Sequence, residues 1–107
     1  MLNDNFTLSE LSEETFKAVC EYLRIDSELT EDSKTISIIM NVAKSYIMDY
    51  TAIPEEELDN YKDLAIAFLV LCGEMYDNRV YLVDTDKVNP LVKSILKLHC
   101  RNEVQNA

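Results

Sequence analysis

The sequence predicts an all-α fold, a compact bundle of about four helices with one extended loop or short strand between the third and the fourth. Three observations carry that expectation. Apolar residues recur at helical spacing over most of the chain; 1 Gly and 2 Pro are all that 107 residues contain; and Ser, Thr, Asp, Asn and Pro stand where helix starts are needed. So little glycine leaves few candidates for the positive-φ positions of tight hairpins or phosphate-cradling loops.

The first helix is expected over about Ser12 to Arg24, where Phe16, Val19, Cys20 and Leu23 form one stripe. Its start has two candidates: Thr7 with Glu10 at capping-box spacing, or Ser12 followed by Glu13 and Glu14. After the polar exit Arg24-Ile25-Asp26-Ser27, the residues Thr30, Glu31, Asp32 and Ser33 offer new caps. A second helix then runs to about Thr51, burying Ile36, Ile39, Met40, Ala43, Ile47 and Tyr50, with Asn41, Lys44 and Asp49 elsewhere around it. Pro54 stops simple continuation, so Glu55 to Asn60 is either an acidic connector or one extra helical turn.

The third helix, about Tyr61 to Asn78, contains the run Leu64 to Cys72, apolar on every side, and is therefore the expected central helix. Gly73 within it suggests close approach of a neighbouring backbone. Arg79-Val80-Tyr81-Leu82-Val83 is β-branched and extended in character, and lacks a partner strand of similar quality. Asn89-Pro90 then starts the last helix, Asn as N-cap and Pro at the first helical position. Leu91, Ile95 and Leu98, flanked by Val92 and Leu96, are its expected apolar side; Lys93, Lys97 and Arg101 line another. The length suits a single domain spanning 1–107, with flexible ends at 1–7 and 102–107.

Ten basic against twenty acidic residues give a net charge of −10, a field that repels phosphate and argues against sequence-specific nucleic-acid binding. The charge is uneven. Residues 1–35 hold 3 basic and 9 acidic groups, residues 81–107 hold 4 basic and 3 acidic. That asymmetry reads either as a basis for head-to-tail association or as a solvated acidic face. The longest apolar run, Leu64 to Cys72, is about half of what a bilayer-spanning helix needs, and Met1-Leu2-Asn3-Asp4 does not start a signal peptide, so a cytoplasmic, non-membrane protein is expected.

No cofactor, metal or catalytic residue is expected. Cys20, Cys72 and Cys100 are too far apart for a zinc motif and odd in number for a disulfide framework. His99 and Cys100 are helical neighbours pointing about 100° apart, poor geometry for a nucleophile pair. Asp84-x-Asp86 lacks the glycine and final glutamate of a calcium loop, and the glutamate pairs lie in polar helix starts that would not raise a carboxyl pKa. Of the six tyrosines, Tyr76 and Tyr81 flank the partnerless extended segment and are the ones that suit a binding surface; boundary packing is the competing explanation.

Four segments together carry a resemblance: Leu23-Arg24-Ile25-Asp26, Ala43-Lys44-Ser45-Tyr46-Ile47, Met75-Tyr76-Asp77-Asn78-Arg79, and Val88-Asn89-Pro90-Leu91-Val92 with Ser94-Ile95-Leu96 beyond. In order and spacing, over roughly residues 8–101, the chain resembles the head–tail connector (adaptor) proteins of tailed phages and prophages, also described as phage DNA-packaging proteins. The resemblance implies a structural, non-enzymatic subunit that assembles as a ring of about twelve copies, joining the portal protein to the next connector or tail protein and forming part of the DNA conduit. It would act in the host cytoplasm during assembly and then in the virion. Tyr76, Arg79, Val80, Tyr81, Leu82, Val83, Lys93, Lys97 and Arg101 are the expected subunit or portal contacts. The alternative class is a small helical regulatory module that binds a partner protein.

Overall fold

A computed structural model describes residues 6–28, 31–80, 82–83 and 87–101, and among these residues the elements with described bounds are four α-helices and a 3-10 helix. They are α1 (Glu13–Leu23), α2 (Ser33–Thr51), the 3-10 helix Glu55–Asn60, α3 (Lys62–Asn78) and α4 (Pro90–His99). The fold is all-α, and no strand occurs among the described residues.

Of the two candidate starts for α1, Ser12 is the cap. Its hydroxyl accepts the Thr15 N–H while the Thr15 hydroxyl faces the Ser12 N–H, a reciprocal capping box. Thr7 instead donates its hydroxyl to the Glu10 carbonyl. Asp32 precedes α2 without capping it through its side chain. Pro54 sits immediately before the 3-10 helix, whose Leu58 is buried, so the acidic stretch is a helical turn that plugs the core. At α4, Asn89 Oδ1 accepts the Leu91 N–H at 2.8 Å and Pro90 follows as the first helical residue.

Three helices end on a residue with positive φ, and none of the three is glycine: Arg24 (62°), Ala52 (59°) and Arg79 (54°). After α1 and α3 the pattern is the Schellman motif, Ile25 N–H to the Cys20 carbonyl and Val80 N–H to the Met75 carbonyl. Glycine scarcity therefore did not mean absence of left-handed positions.

α3 lies at the centre, packed by α1, α2, the 3-10 helix and α4. Phe68, Leu64, Leu69 and Cys72 are buried on it together with Ile36, Ile39 and Ile47 of α2 and Val19 of α1. The helix is not enclosed all round, however: Ile66 is 46% exposed and Val70 only half-buried. Gly73 accommodates a side chain, not a backbone, since a Cβ there would meet Tyr22 Cε2 of α1 at 3.0 Å.

On α4 the buried line is Val92, Ile95 and Leu96, whereas Leu91 and Leu98 point outward, 53% and 77% exposed. A ten-residue helix with five aliphatic positions has two overlapping apolar arcs, and periodicity does not choose between them. The rotation is set by its ends: Val88 is buried before the helix, and His99, its last residue, bonds Asp63 of α3 at 2.8 Å.

Candidate functional site

The end of α3 and the segment after it carry most of the sequence-predicted contact residues. Tyr76 and Arg79 are tied into the molecule itself. The Tyr76 hydroxyl donates to Asp32 Oδ2 at 2.8 Å, the Arg79 guanidinium lies 4.2 Å from the Tyr76 ring centroid, and Arg79 Nη1 reaches the same Asp32 oxygen at 3.6 Å. The hydrogen bond to Asp32 raises the phenol pKa, so Tyr76 remains protonated and keeps donating. These three side chains fasten the end of α3 to the start of α2. The C-terminal αL residue Arg79 also fixes the direction in which the chain leaves.

That direction exposes the next residues. Val80 is 47% and Leu82 63% exposed, while Val83 is half-buried against the core. Tyr81 and Asp84 to Asp86 lie outside the described residues. Val80, Leu82 and Val83 border a groove of about 380 Å³ with Leu71, Met75 and Val88 as further apolar lining and Glu74, Asn78 and Lys87 as polar lining. It is a trough of mixed polar and apolar lining, open to solvent.

The basic residues of the C-terminal helix divide. Lys97 is exposed and Lys93 half-buried on α4, but the helix ends at His99, so Arg101 does not extend their row. Arg101 turns back instead: its Nη2 donates to Glu57 Oε1 at 2.7 Å and to the Tyr61 hydroxyl at 2.8 Å, and its N–H bonds the Thr51 carbonyl at 2.7 Å. His99 packs on the Tyr61 ring at 4.7 Å beside its bond to Asp63. Arg101, His99, Tyr61, Asp63 and Glu57 thus form a polar clasp holding the end of α4 to the start of α3. Sequence reading does not reveal this clasp, because its partners are about 40 residues apart and no local pattern joins them.

No family model, curated protein or solved structure matches the chain.

Of the three cysteines, Cys20 and Cys72 are buried. Burial pushes the Cys20 and Cys72 thiols up, with Asp26 adding to the effect at Cys20, so neither supplies thiolate at neutral pH. Cys100 Sγ donates to the Tyr50 carbonyl at 3.3 Å. Among the described residues no group of three or more His, Cys, Asp or Glu side chains is placed to hold a metal ion, and no helix is long and apolar enough to cross a membrane. A second polar cluster binds the N-terminal arm: Asp59 accepts the N–H groups of Leu8 and Ser9 and the Ser9 hydroxyl, while Lys44 Nζ donates to the Ser9 carbonyl at 2.9 Å and pairs with Glu55 at 2.7 Å. Lys44, which lies off the apolar stripe of α2, is thereby largely covered, its side chain 12% exposed.

Proposed function

We propose that this chain is a structural subunit of a tailed-phage or prophage particle. It assembles as a ring of about twelve copies between the portal protein and the next connector or tail protein, and the ring forms part of the DNA conduit. The reading begins from the resemblance carried by the four segments over roughly residues 8–101. The observation that supports it best is the exposed apolar pair Val80 and Leu82, which follows the Tyr76–Arg79–Asp32 junction in sequence and lines an open groove. Exposed aliphatic residues beside a groove suit a surface that a partner covers. The net charge of −10 suits a conduit along which DNA slides without sticking.

Co-sedimentation with the portal protein of the same genome tests the reading. The chain should pellet with assembled portal, and Val80→Asp/Leu82→Asp should lose at least tenfold in affinity while its circular dichroism stays unchanged. Absence of binding by the unmodified chain, with its gene found among repressor genes and not beside portal and capsid genes, would favour the regulatory module instead.

A further inference from the structure

The segment before α1 is held in the way a bound peptide is held. Residues 6–11 form neither helix nor strand, yet side chains of four different elements grip them. Phe6 stands edge-on to Phe68 of α3 with ring centroids 6.2 Å apart, and Leu8 is buried among the core side chains. Around these anchors the hydrogen bonds go to the arm's backbone. The Thr15 hydroxyl of α1 donates to the Thr7 carbonyl at 2.9 Å. Asp59 Oδ1 of the 3-10 helix accepts the Leu8 N–H at 2.6 Å and the Ser9 N–H at 3.3 Å, and Lys44 Nζ of α2 donates to the Ser9 carbonyl at 2.9 Å. The Ser9 hydroxyl adds a bond to Asp59 Oδ2. Main-chain bonds of this kind supply affinity without reading sequence, and the two apolar anchors and the hydroxyl supply the selection.

The rest of the fold keeps its caps and charge pairs without the arm. Ser12 and Thr15 cap α1 between themselves, Lys44 retains Glu55 at 2.7 Å, and Asp59 is exposed to water. Departure of residues 6–9 therefore strands no buried charge. What it bares is apolar, the edge of Phe68 and the place of Leu8.

We propose that the groove under residues 6–9, walled by Thr15, Lys44, Asp59 and Phe68, is a binding site for a short non-helical segment of a partner protein, and that this chain's own arm fills it until such a segment displaces it. The resident arm shows the chemistry of the occupant: an aromatic residue, an aliphatic one two places on, and Ser or Thr directly after that. A second copy of the chain is a poor occupant. Its arm has the same sequence as the resident one, which is tethered to the groove at an effective concentration of about millimolar, so exchange between copies gains nothing. A partner segment whose anchors fill the site better, or which makes contacts beyond the groove, wins. The inference uses neither Val80 nor Leu82 and stands whether or not the chain joins a phage particle.

Hydrogen exchange and peptide binding on the full chain test it. In the unmodified chain the Leu8 and Ser9 amides should exchange roughly tenfold or more faster than those of Phe68 and Leu69, because the arm opens while α3 stays folded. The probe is a fluorescent, acetylated peptide with the sequence of residues 4–12, read by anisotropy. Phe6→Ser/Leu8→Ser, its helix content unchanged by circular dichroism, should bind this probe roughly tenfold tighter than the unmodified chain, whose own arm competes. Leu8→Ser in the probe, or Asp59→Ala added to the double variant, should each weaken binding about tenfold. Arm amides that exchange in step with α3 overturn the proposal. So does a folded double variant that ignores the probe at roughly 500 μM, or binds the Leu8→Ser probe equally well. A dimer of the unmodified chain that disappears with Leu8→Ser in sedimentation would make a second copy the occupant and overturn it too. Should the double variant lose its helices, Leu8→Ala takes its place, and the exchange rates of the unmodified chain decide by themselves.

Discussion

Individual residues decide how the helices of this protein end. Arg24 sits at φ 62° where glycine would be unstrained, and its side chain is exposed. A left-handed conformation costs an L-residue about 1 kcal/mol or more, so Arg24→Gly should stabilise the chain by roughly 1 kcal/mol, a rise of about 4 °C in Tm by thermal unfolding. Asp59 makes the opposite case, a residue that the present structure favours. Burial alone would raise its pKa, but the Ser9 hydroxyl, the Leu8 and Ser9 N–H groups and Lys44 outweigh that and hold the carboxyl below its usual range. A folded-state pKa below the unfolded value of about 3.9 contributes stability above that pH, lost as pH falls through the folded value. Wild type should exceed Asp59→Asn by roughly 1 kcal/mol at neutral pH, and the difference should shrink below about pH 4 in unfolding curves.

At the scale of elements, the helices were legible because α2 and α3 have stripes long enough to fix both type and rotation: Ile36, Ile39, Met40, Ala43 and Ile47 are all buried as their spacing predicts. α4 was legible in extent but not in rotation. Its Asn89-Pro90 start is local chemistry, whereas its orientation depends on His99 meeting Asp63, 36 residues away. The contact residues divide for the same reason: nothing near Tyr76, Arg79 or Arg101 in sequence announces Asp32, Glu57 or Tyr61 as partners. Tyr76→Phe removes the hydroxyl that joins α3 to α2 and should cost roughly 1 kcal/mol, read by urea unfolding, without a change in helix content. Gly73→Ala gains helix propensity of about 1 kcal/mol but pushes the Tyr22 ring at 3.0 Å, so its stability should stay within about 1 kcal/mol of wild type in the same measurement.

The whole molecule places its core around α3 and leaves exposed aliphatic residues along the chain, Ile38 and Ile66 on α2 and α3 and Val80, Leu82, Leu91 and Leu98 after them. The acidic residues are concentrated in the first 60, which hold 14 of the 20. Electron microscopy of the full chain mixed with the portal protein of the same genome tests this account most directly. The account predicts a closed ring of about twelve copies seated on one end of the portal, its subunits in head-to-tail contact. Bare portals beside unassembled chain, at concentrations well above those used for imaging the complex, would contradict it.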